Sequence, residues 1–320
     1  MHKRILAVRN DRFGEFLLNI PAFRALKQSF PEAKLTLVVD PYVKEIAQCI
    51  DFLDEVITWE NKPHKLSEIL KFSRALKAKS FDLCVILNPS KEFNLISFFA
   101  GIPLRCGYSR KWAFLLNRKI EDKKYLGRKH EIEYNLDLVN LAGASTQDKS
   151  LVLRIEERVL GGLIDLNRLD LENLAVVHPF TSDPLKQWPL ENFQELAQRL
   201  VKELNKKVLI IGGREERERS RELFGDSSGE IINLTGKTTL VQLAALLKKC
   251  RLLISGDSGP VHLAACVGTP VVAIFRNDIP GKNPERWGPW GRGHQVIAKP
   301  GLSQISVTEV LEKVKEVFKG

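Results

Sequence analysis

No apolar run in this chain approaches the roughly 20 residues that a membrane-spanning helix requires. The N-terminal MHKRILAVRN passes from basic residues straight into a strand-like segment, the pattern expected of a chain without a signal peptide or anchor. Cysteine is sparse: Cys49, Cys84, Cys106, Cys250 and Cys266 are odd in number, widely spaced and mostly set in apolar segments. A disulfide framework and a cysteine-based metal site are therefore not expected, and the compartment reads as reducing and cytoplasmic. No cluster of acids has metal-ligand spacing, so no metal is expected. The G-x-G-x-x-G fingerprint is missing after the first strand, where a dinucleotide-dependent dehydrogenase would carry it. Zinc-finger, helix-turn-helix and RNP-like patterns are missing too, which leaves a nucleic-acid-binding role with charge as its support.

The chain does hold an ordinary globular composition, 44% hydrophobic and 28% charged over 320 residues. That length exceeds one typical domain, so two domains with separate cores are the expectation. A net charge of +10 predicts an anionic partner, and nucleic acid, an anionic membrane face and a phosphorylated glycolipid would each satisfy it.

Apolar strands alternate with amphipathic segments throughout. In the first half, residues 4–8, 34–39, 55–58 and 82–87 read as strands, with helices over 16–29, 42–50, 66–77 and 130–141. The pattern restarts with strands over 174–178, 207–211 and 231–234 and helices over 191–204, 215–223 and 240–249. Such alternation predicts parallel, doubly wound sheets in an α/β fold. The boundaries read as an N-terminal Rossmann-like domain over 1–160 and a C-terminal one over 161–304. The closing segment 305–320 carries an apolar stripe at Val307, Val310, Leu311, Val314 and Phe318, and it is expected to dock back on the first domain.

The richest stretch is LLISGDSGPVHLAACVGTPVVAIF, residues 252–275. It reads as a βαβ unit whose turn holds Asp257, Ser258 and Gly259 ahead of a helix carrying Pro260 in its first turn. Small residues there let backbone N–H groups and a helix N-terminus approach an anion, while Asp257 suits sugar hydroxyls. The plainer alternative makes Asp257 a helix cap. Glu15 stands beside Gly14 in the loop after the first strand, the sheet edge where open α/β folds bind ligands, although a helix-start Glu can be simply a dipole partner. The loop 179–189, PFTSDPLKQWP, offers hydroxyls and one cation, Lys186, which suit phosphate oxygens. From Arg105 to Lys129 nine basic residues, among them Arg110, Lys111, Lys123 and Lys124, face only Glu121 and Asp122. This run reads either as a solvated face or as a cradle for an anionic acceptor.

The run G-D-S-G-P-x-H-L-A-A-x-x-G-T-P-V-V-A-I-F resembles the C-terminal signature of the ADP-heptose:lipopolysaccharide heptosyltransferases, glycosyltransferase family 9. Three further matches accompany it. G-E-F-L-L-N-I-P-A-F-R-A-L is similar to the family's G-D-x-L-x-x-x-P-x-x-x-x-L, the segment 186–189 to its K-x-W-P, and 212–216 to its G-G-x-x-E. The resemblance implies a GT-B arrangement of two facing Rossmann-like domains. It implies a catalytic base at Glu15, where the family has Asp. Donor contacts are implied from Thr181, Ser182, Lys186, Glu216, Asp257, Ser258, Gly259 and His262, with Lys186 also aiding departure of the diphosphate. The implied reaction is inverting, metal-independent transfer of heptose from ADP-heptose to the lipopolysaccharide inner core, with ADP-heptose as donor substrate and no separate cofactor. The implied setting is a monomer in contact with the cytoplasmic face of the inner membrane, binding no nucleic acid. A related transferase using another nucleotide sugar or acceptor is the alternative, and a non-enzymatic anion-binding protein a more distant one.

Overall fold

Strands that are apolar on both faces need cover on both faces, and a parallel sheet flanked by helices supplies it. In the computed structural model, which describes residues 2–161 and 173–319, this happens twice, in the units Met1–Arg154 and Ile155–Gly320. The division thus falls after residue 154 rather than after 160.

In the first unit, β1 (Arg4–Val8), β2 (Lys34–Val39), β3 (Glu55–Thr58), β4 (Leu83–Ile86), β5 (Leu104–Tyr108) and β6 (Arg118–Ile120) pair in the order β3-β2-β1-β4-β5-β6. Every pairing is parallel. The order reverses between β1 and β4, so a crevice opens beyond their carboxyl ends. The single helix expected over 16–29 is two, Phe13–Leu17 and Ile20–Ser29. Pro21 is the cause: it has no N–H to give to residue 17, and its ring crowds that carbonyl. The first helix begins early enough to hold Glu15 in its first turn.

In the second unit, β7 (Leu174–His178), β8 (Lys207–Ile210), β9 (Ser227–Ser228), β10 (Ile231–Asn233), β11 (Leu252–Gly256), β12 (Val271–Arg276) and β13 (Gln295–Lys299) run β13-β12-β11-β7-β8-β10-β9. Only the edge strand β9 is antiparallel. Leaving β9 aside, the winding repeats that of the first sheet, with the reversal now between β7 and β11.

The closing helix, Val307–Lys319, corrects an expectation. Its stripe of Val307, Val310, Leu311 and Val314 lies in the second unit's own core, with Leu196, Leu200 and Trp188, against the helix Leu190–Leu204. Amphipathicity had shown that one face is buried, not which partner buries it. Trp188 is fully buried there; its indole N–H donates to the Ile305 carbonyl at 2.9 Å, and its ring meets Phe193 edge-on at 4.7 Å.

Both cores contain buried thiols. Cys84 and Cys106 lie on β4 and β5, Cys250 and Cys266 beside and within the second unit's helices. Burial pushes Cys106 up to about 11 and Cys250 up to about 12, and raises Cys84 and Cys266 further still.

Leu311→Ala should cost about 2–5 kcal/mol in urea denaturation, as a buried leucine truncated without collapse does. Hydrogen exchange should quicken along residues 190–204, the helix it packs on. Exchange unchanged there would contradict the packing described.

Candidate active site

At the second unit's reversal, three polar side chains close the gap between β7 and β11. His178, the last residue of β7, is buried, and its Nδ1 lies 3.1 Å from both the Ser255 and Ser258 hydroxyls, which are 2.8 Å from each other. Burial lowers His178 to about 4, so the ring is neutral. Ser258 occupies the N-cap position of the helix Gly259–Val267 yet makes no side-chain cap. Because its hydroxyl turns sideways to His178, it does not cap that helix; Pro260 has no N–H and the Val261 N–H is bonded to the Ser258 carbonyl at 3.2 Å, so the backbone donor that the helix's first residues present to an anion is the Gly259 N–H.

Lys186 is held against this turn. Its Nζ pairs with Asp257 Oδ2 at 2.7 Å and stands 5.5 Å from the Trp287 ring centre, and His262 approaches the same ring at 6.3 Å. The loop carrying Lys186 is fastened on several sides. Gln187 Nε2 donates to the carbonyls of Pro179 and Trp188, both at 2.7 Å; Arg276 donates to the Leu185 carbonyl at 2.9 Å; and Lys282 pairs with Asp183 at 2.6 Å. Gly256 lies against this loop: a Cβ there would stand in ordinary contact, 3.4 Å from the Lys186 carbonyl oxygen. Burial pushes the Asp257 carboxyl above its ordinary range, while Lys186 pulls it down. Thr181 is half-buried and Ser182 exposed at the start of this loop.

Glu216 closes the short turn Arg214–Glu216 that follows the neighbouring β8, and its carboxylate accepts from the Gly213 N–H. Burial raises this carboxyl and the Gly213 N–H opposes the shift. A Cβ on Gly212 would come within 2.9 Å of Glu216 Oε2, Phe180 and Thr235, so this tight turn requires glycine.

In the first unit the reversal is bridged by Arg9, directly after β1. Its buried guanidinium pairs with Asp11 at 2.7 Å, donates to the Leu87 carbonyl at 3.0 Å and reaches Glu131 at 3.8 Å. Asn88 donates to Asn10 beside it at 3.2 Å. Glu15 is half-buried on the same rim. Burial first, then the charge of Asp11, raises its pKa, while Arg9 and Arg12 pull the other way. A carboxylate shifted toward neutrality at the ligand edge of a sheet is the profile of a general base.

The basic run divides. Arg110 is exposed and paired with Asp122 at 2.7 Å, Lys123 is exposed and paired with Glu121 at 3.1 Å, and Lys111 is exposed. Lys124 is different, and its expected place in an acceptor cradle needs correcting. It is buried, 2.5 Å from Glu131 Oε1 and 2.9 Å from Asn135 Oδ1, with its Nζ 4.6 Å from the Tyr108 ring centre. Glu131, only 1% exposed, requires a counter-ion, and Lys124 supplies the nearer one, with Arg9 at 3.8 Å.

Sequence reasoning missed His178, Arg9 and the part played by Trp287. The available signal for the first two was a polar residue at or just past the end of an otherwise apolar strand. Among the described residues no group of three or more His, Cys, Asp or Glu side chains could hold a metal ion, and no helix is long and apolar enough to cross a membrane.

Lys124→Met should destabilise the protein by about 3–5 kcal/mol, because buried Glu131 loses its close counter-ion and keeps the more distant Arg9, 3.8 Å away. Lys123→Gln should be nearly silent, as exposed pairs are. Thermal unfolding of the two variants side by side checks the division, and equal effects would refute it.

Comparison with known proteins bears on the family and the fold. The family description "Glycosyltransferase family 9 (heptosyltransferase)" matches residues 69–314, more than half of the chain. A Haemophilus influenzae protein named only as a glycosyltransferase is 27% identical over 305 residues, covering 90% of this chain and 86% of its own. Lipopolysaccharide heptosyltransferase 2 of Escherichia coli is 24% identical over 299 residues, covering 88% and 85%. The solved structure of E. coli ADP-heptose lps heptosyltransferase II superposes with a TM-score of 0.84 at 22% identity, covering 99% of this chain and 98% of that one. The fold is thus the α/β, two-sheet fold of the GT-B heptosyltransferases. With the family description spanning most of the chain, the protein is a glycosyltransferase and belongs to glycosyltransferase family 9, the heptosyltransferase family.

Proposed function

We propose that this protein transfers heptose from ADP-heptose to the inner core of lipopolysaccharide in one inverting step that requires no metal. The observation that carries the reading is Lys186, ion-paired to Asp257 at 2.7 Å beside a helix N-terminus without a side-chain cap. A cation and a backbone N–H donor at one point are what a departing diphosphate needs. Thr181, Ser182 and Gly259 add hydroxyl and backbone contacts to the diphosphate, Asp257 and Glu216 accept from sugar hydroxyls, and His262 lies within the same cluster. The names of two similar proteins, a lipopolysaccharide heptosyltransferase and an ADP-heptose lps heptosyltransferase, support the donor and acceptor.

In this reading Glu15 removes the proton from an acceptor hydroxyl. The acceptor oxygen forms its bond to the anomeric carbon from the face opposite the nucleotide, the bond from that carbon to the β-phosphate oxygen breaks, and ADP leaves with the electron pair. Inversion follows from the single displacement. Lys186 and the N–H groups of Ser258 and Gly259 meet the charge that grows on the leaving oxygen, which is the task a metal performs elsewhere. No cofactor beyond the donor takes part, and the enzyme works as a monomer at the cytoplasmic face of the inner membrane. Arg110, Lys111 and Lys123 would meet the anionic groups of the acceptor.

Glu15→Gln should lower kcat by about 10²–10⁴ with ADP affinity preserved. Glu15→Asp, shorter by a methylene, should fall between the two. The pH dependence has a definite sign. The folded-state pKa is raised, so turnover declines as pH falls through that raised value and the base becomes protonated. The same shift means that ionised Glu15 burdens the fold above that pH, and the burden vanishes below the unfolded carboxyl pKa. The glutamine variant should therefore unfold at higher temperature than the parent at pH 7 and lose that advantage in acid. Normal turnover by this variant would remove Glu15 from the mechanism.

ADP at about 100 times its dissociation constant should stabilise the protein by about 2.7 kcal/mol. Lys186→Gln should lower kcat more than it weakens ADP binding, since charge on the diphosphate grows toward the transition state. Calorimetry with ADP, UDP and GDP, followed by kinetics, checks both. Stabilisation by UDP and not by ADP would replace the ADP-heptose reading with another nucleotide sugar.

A further inference from the structure

One region of the first unit shows aromatic side chains that its folding does not need. Phe98 and Phe99 end the helix Lys91–Phe99 at 46% and 41% exposure, and Trp112 and Phe114 follow in the loop after β5 at 47% and 74%. The core beneath them is already filled by Phe93, Ile96 and Leu116. The loop is held in this pose at a conformational cost. Lys111 and Trp112 have φ of 49° and 65°, in the left-handed region that side chains other than glycine's avoid. Buried Asn94 pins the bend by donating to the Lys111 carbonyl at 2.8 Å, and Arg105 Nε fixes its far side through the Leu115 carbonyl at 2.8 Å. Such strain persists where the surroundings impose it and is most often found at working surfaces.

The charge around these rings is mainly positive, with Asp122 pairing Arg110 at 2.7 Å. Residues 91–120 hold Lys91, Arg105, Arg110, Lys111, Arg118 and Lys119 against a single acid, Glu92. Glu92 is turned away, bonded to Trp59 and to His64. Lys91 and Arg105 lie over the Trp112 and Phe98 rings, at 5.8 and 5.6 Å from their centres. Rings at the surface with cations around them match an interface whose interior is apolar and whose rim is anionic. A second copy of this chain, with net charge +10, would bring like charge to the same surface.

We propose that Phe98, Phe99, Trp112 and Phe114 form an interfacial anchor that seats on an anionic phospholipid bilayer. The rings enter the boundary between headgroups and acyl chains, and the surrounding lysines and arginines meet headgroup phosphates. The anchor does not depend on which sugar is transferred. It gives the enzyme a surface residence separate from its grip on any one acceptor.

The test is co-sedimentation of the full chain with vesicles of phosphatidylglycerol and phosphatidylethanolamine, compared with vesicles of phosphatidylcholine alone. The parent should bind the anionic vesicles and leave them as salt is raised. The double variant Phe98→Ser/Phe114→Ser should bind them at least about tenfold more weakly. Its melting temperature, and its turnover on an acceptor stripped of acyl chains, should match the parent's. Equal binding to both vesicle types, or undiminished binding by the double variant, would overturn the proposal. So would a concentration-dependent dimer that the double variant abolishes, which would make the surface an interface between copies. Because sedimentation needs neither donor nor acceptor, the anchor can fail while heptosyl transfer stands, and the reverse.

Discussion

Two sheets covered on both faces leave one place where polar chemistry can be mounted, the carboxyl ends of their strands. At each reversal of strand order the neighbouring chains diverge, and the polar groups exposed there need partners drawn from the protein itself. Arg9 meets this demand in the first unit by bonding across to the Leu87 carbonyl, and His178 meets it in the second by holding Ser255 and Ser258. The residues proposed for chemistry hang on these two bridges. Arg9 and Asp11 set the electrostatic surroundings of Glu15, and His178 turns the Ser258 hydroxyl away from the helix N-terminus it would otherwise cap.

The first bridge extends inward as a chain of charge, half-buried at Asp11 and buried from Arg9 on. Asp11, Arg9, Glu131 and Lys124 alternate in sign, and Asn135 accepts from Lys124 while donating to the Leu18 carbonyl at 3.4 Å. Glu131 and Asn135 both belong to the helix Glu131–Asn140. That helix, late in the unit, is thereby tied to the segment behind Glu15, early in it. Networks of this kind add little net stability over apolar packing, yet they hold a side chain's orientation firmly because every alternative leaves a charge unpaired.

Much of this was legible in the sequence where periodicity is strong. Residues 5–8 and 271–275 are uninterrupted apolar runs within their strands, and parallel winding of both sheets follows from the alternation of strands with helices. β6 was not legible, because Arg118-Lys119-Ile120 carries the charges of an edge strand, nor was the helix Lys91–Phe99, whose buried Asn94 and Ser97 break its apolar pattern. Lys186 and Asp257 were noticed through local motif and turn chemistry, and the structure brings them together. His178 and Arg9 went unnoticed because their partners lie 77 and 78 positions away. Lys124 was misread for a related reason: a charge in a basic run looks the same on paper whether water or Glu131 surrounds it. Trp188, read as part of a phosphate-loop signature, is a core residue whose contribution is to anchor that loop from below.

The placement of the thiols has a consequence of its own. Cys84 and Cys106 are locked inside one sheet's core, and Cys250 and Cys266 inside the other's, each with its thiolate suppressed by burial. Since the thiolate is the species that alkylates, none of these four can react at an appreciable rate while its surroundings stay closed. The chain therefore carries two built-in clocks, one in each half. The order in which the four sulfurs take up a label under mild denaturation records which half opens first, with no probe added to the protein.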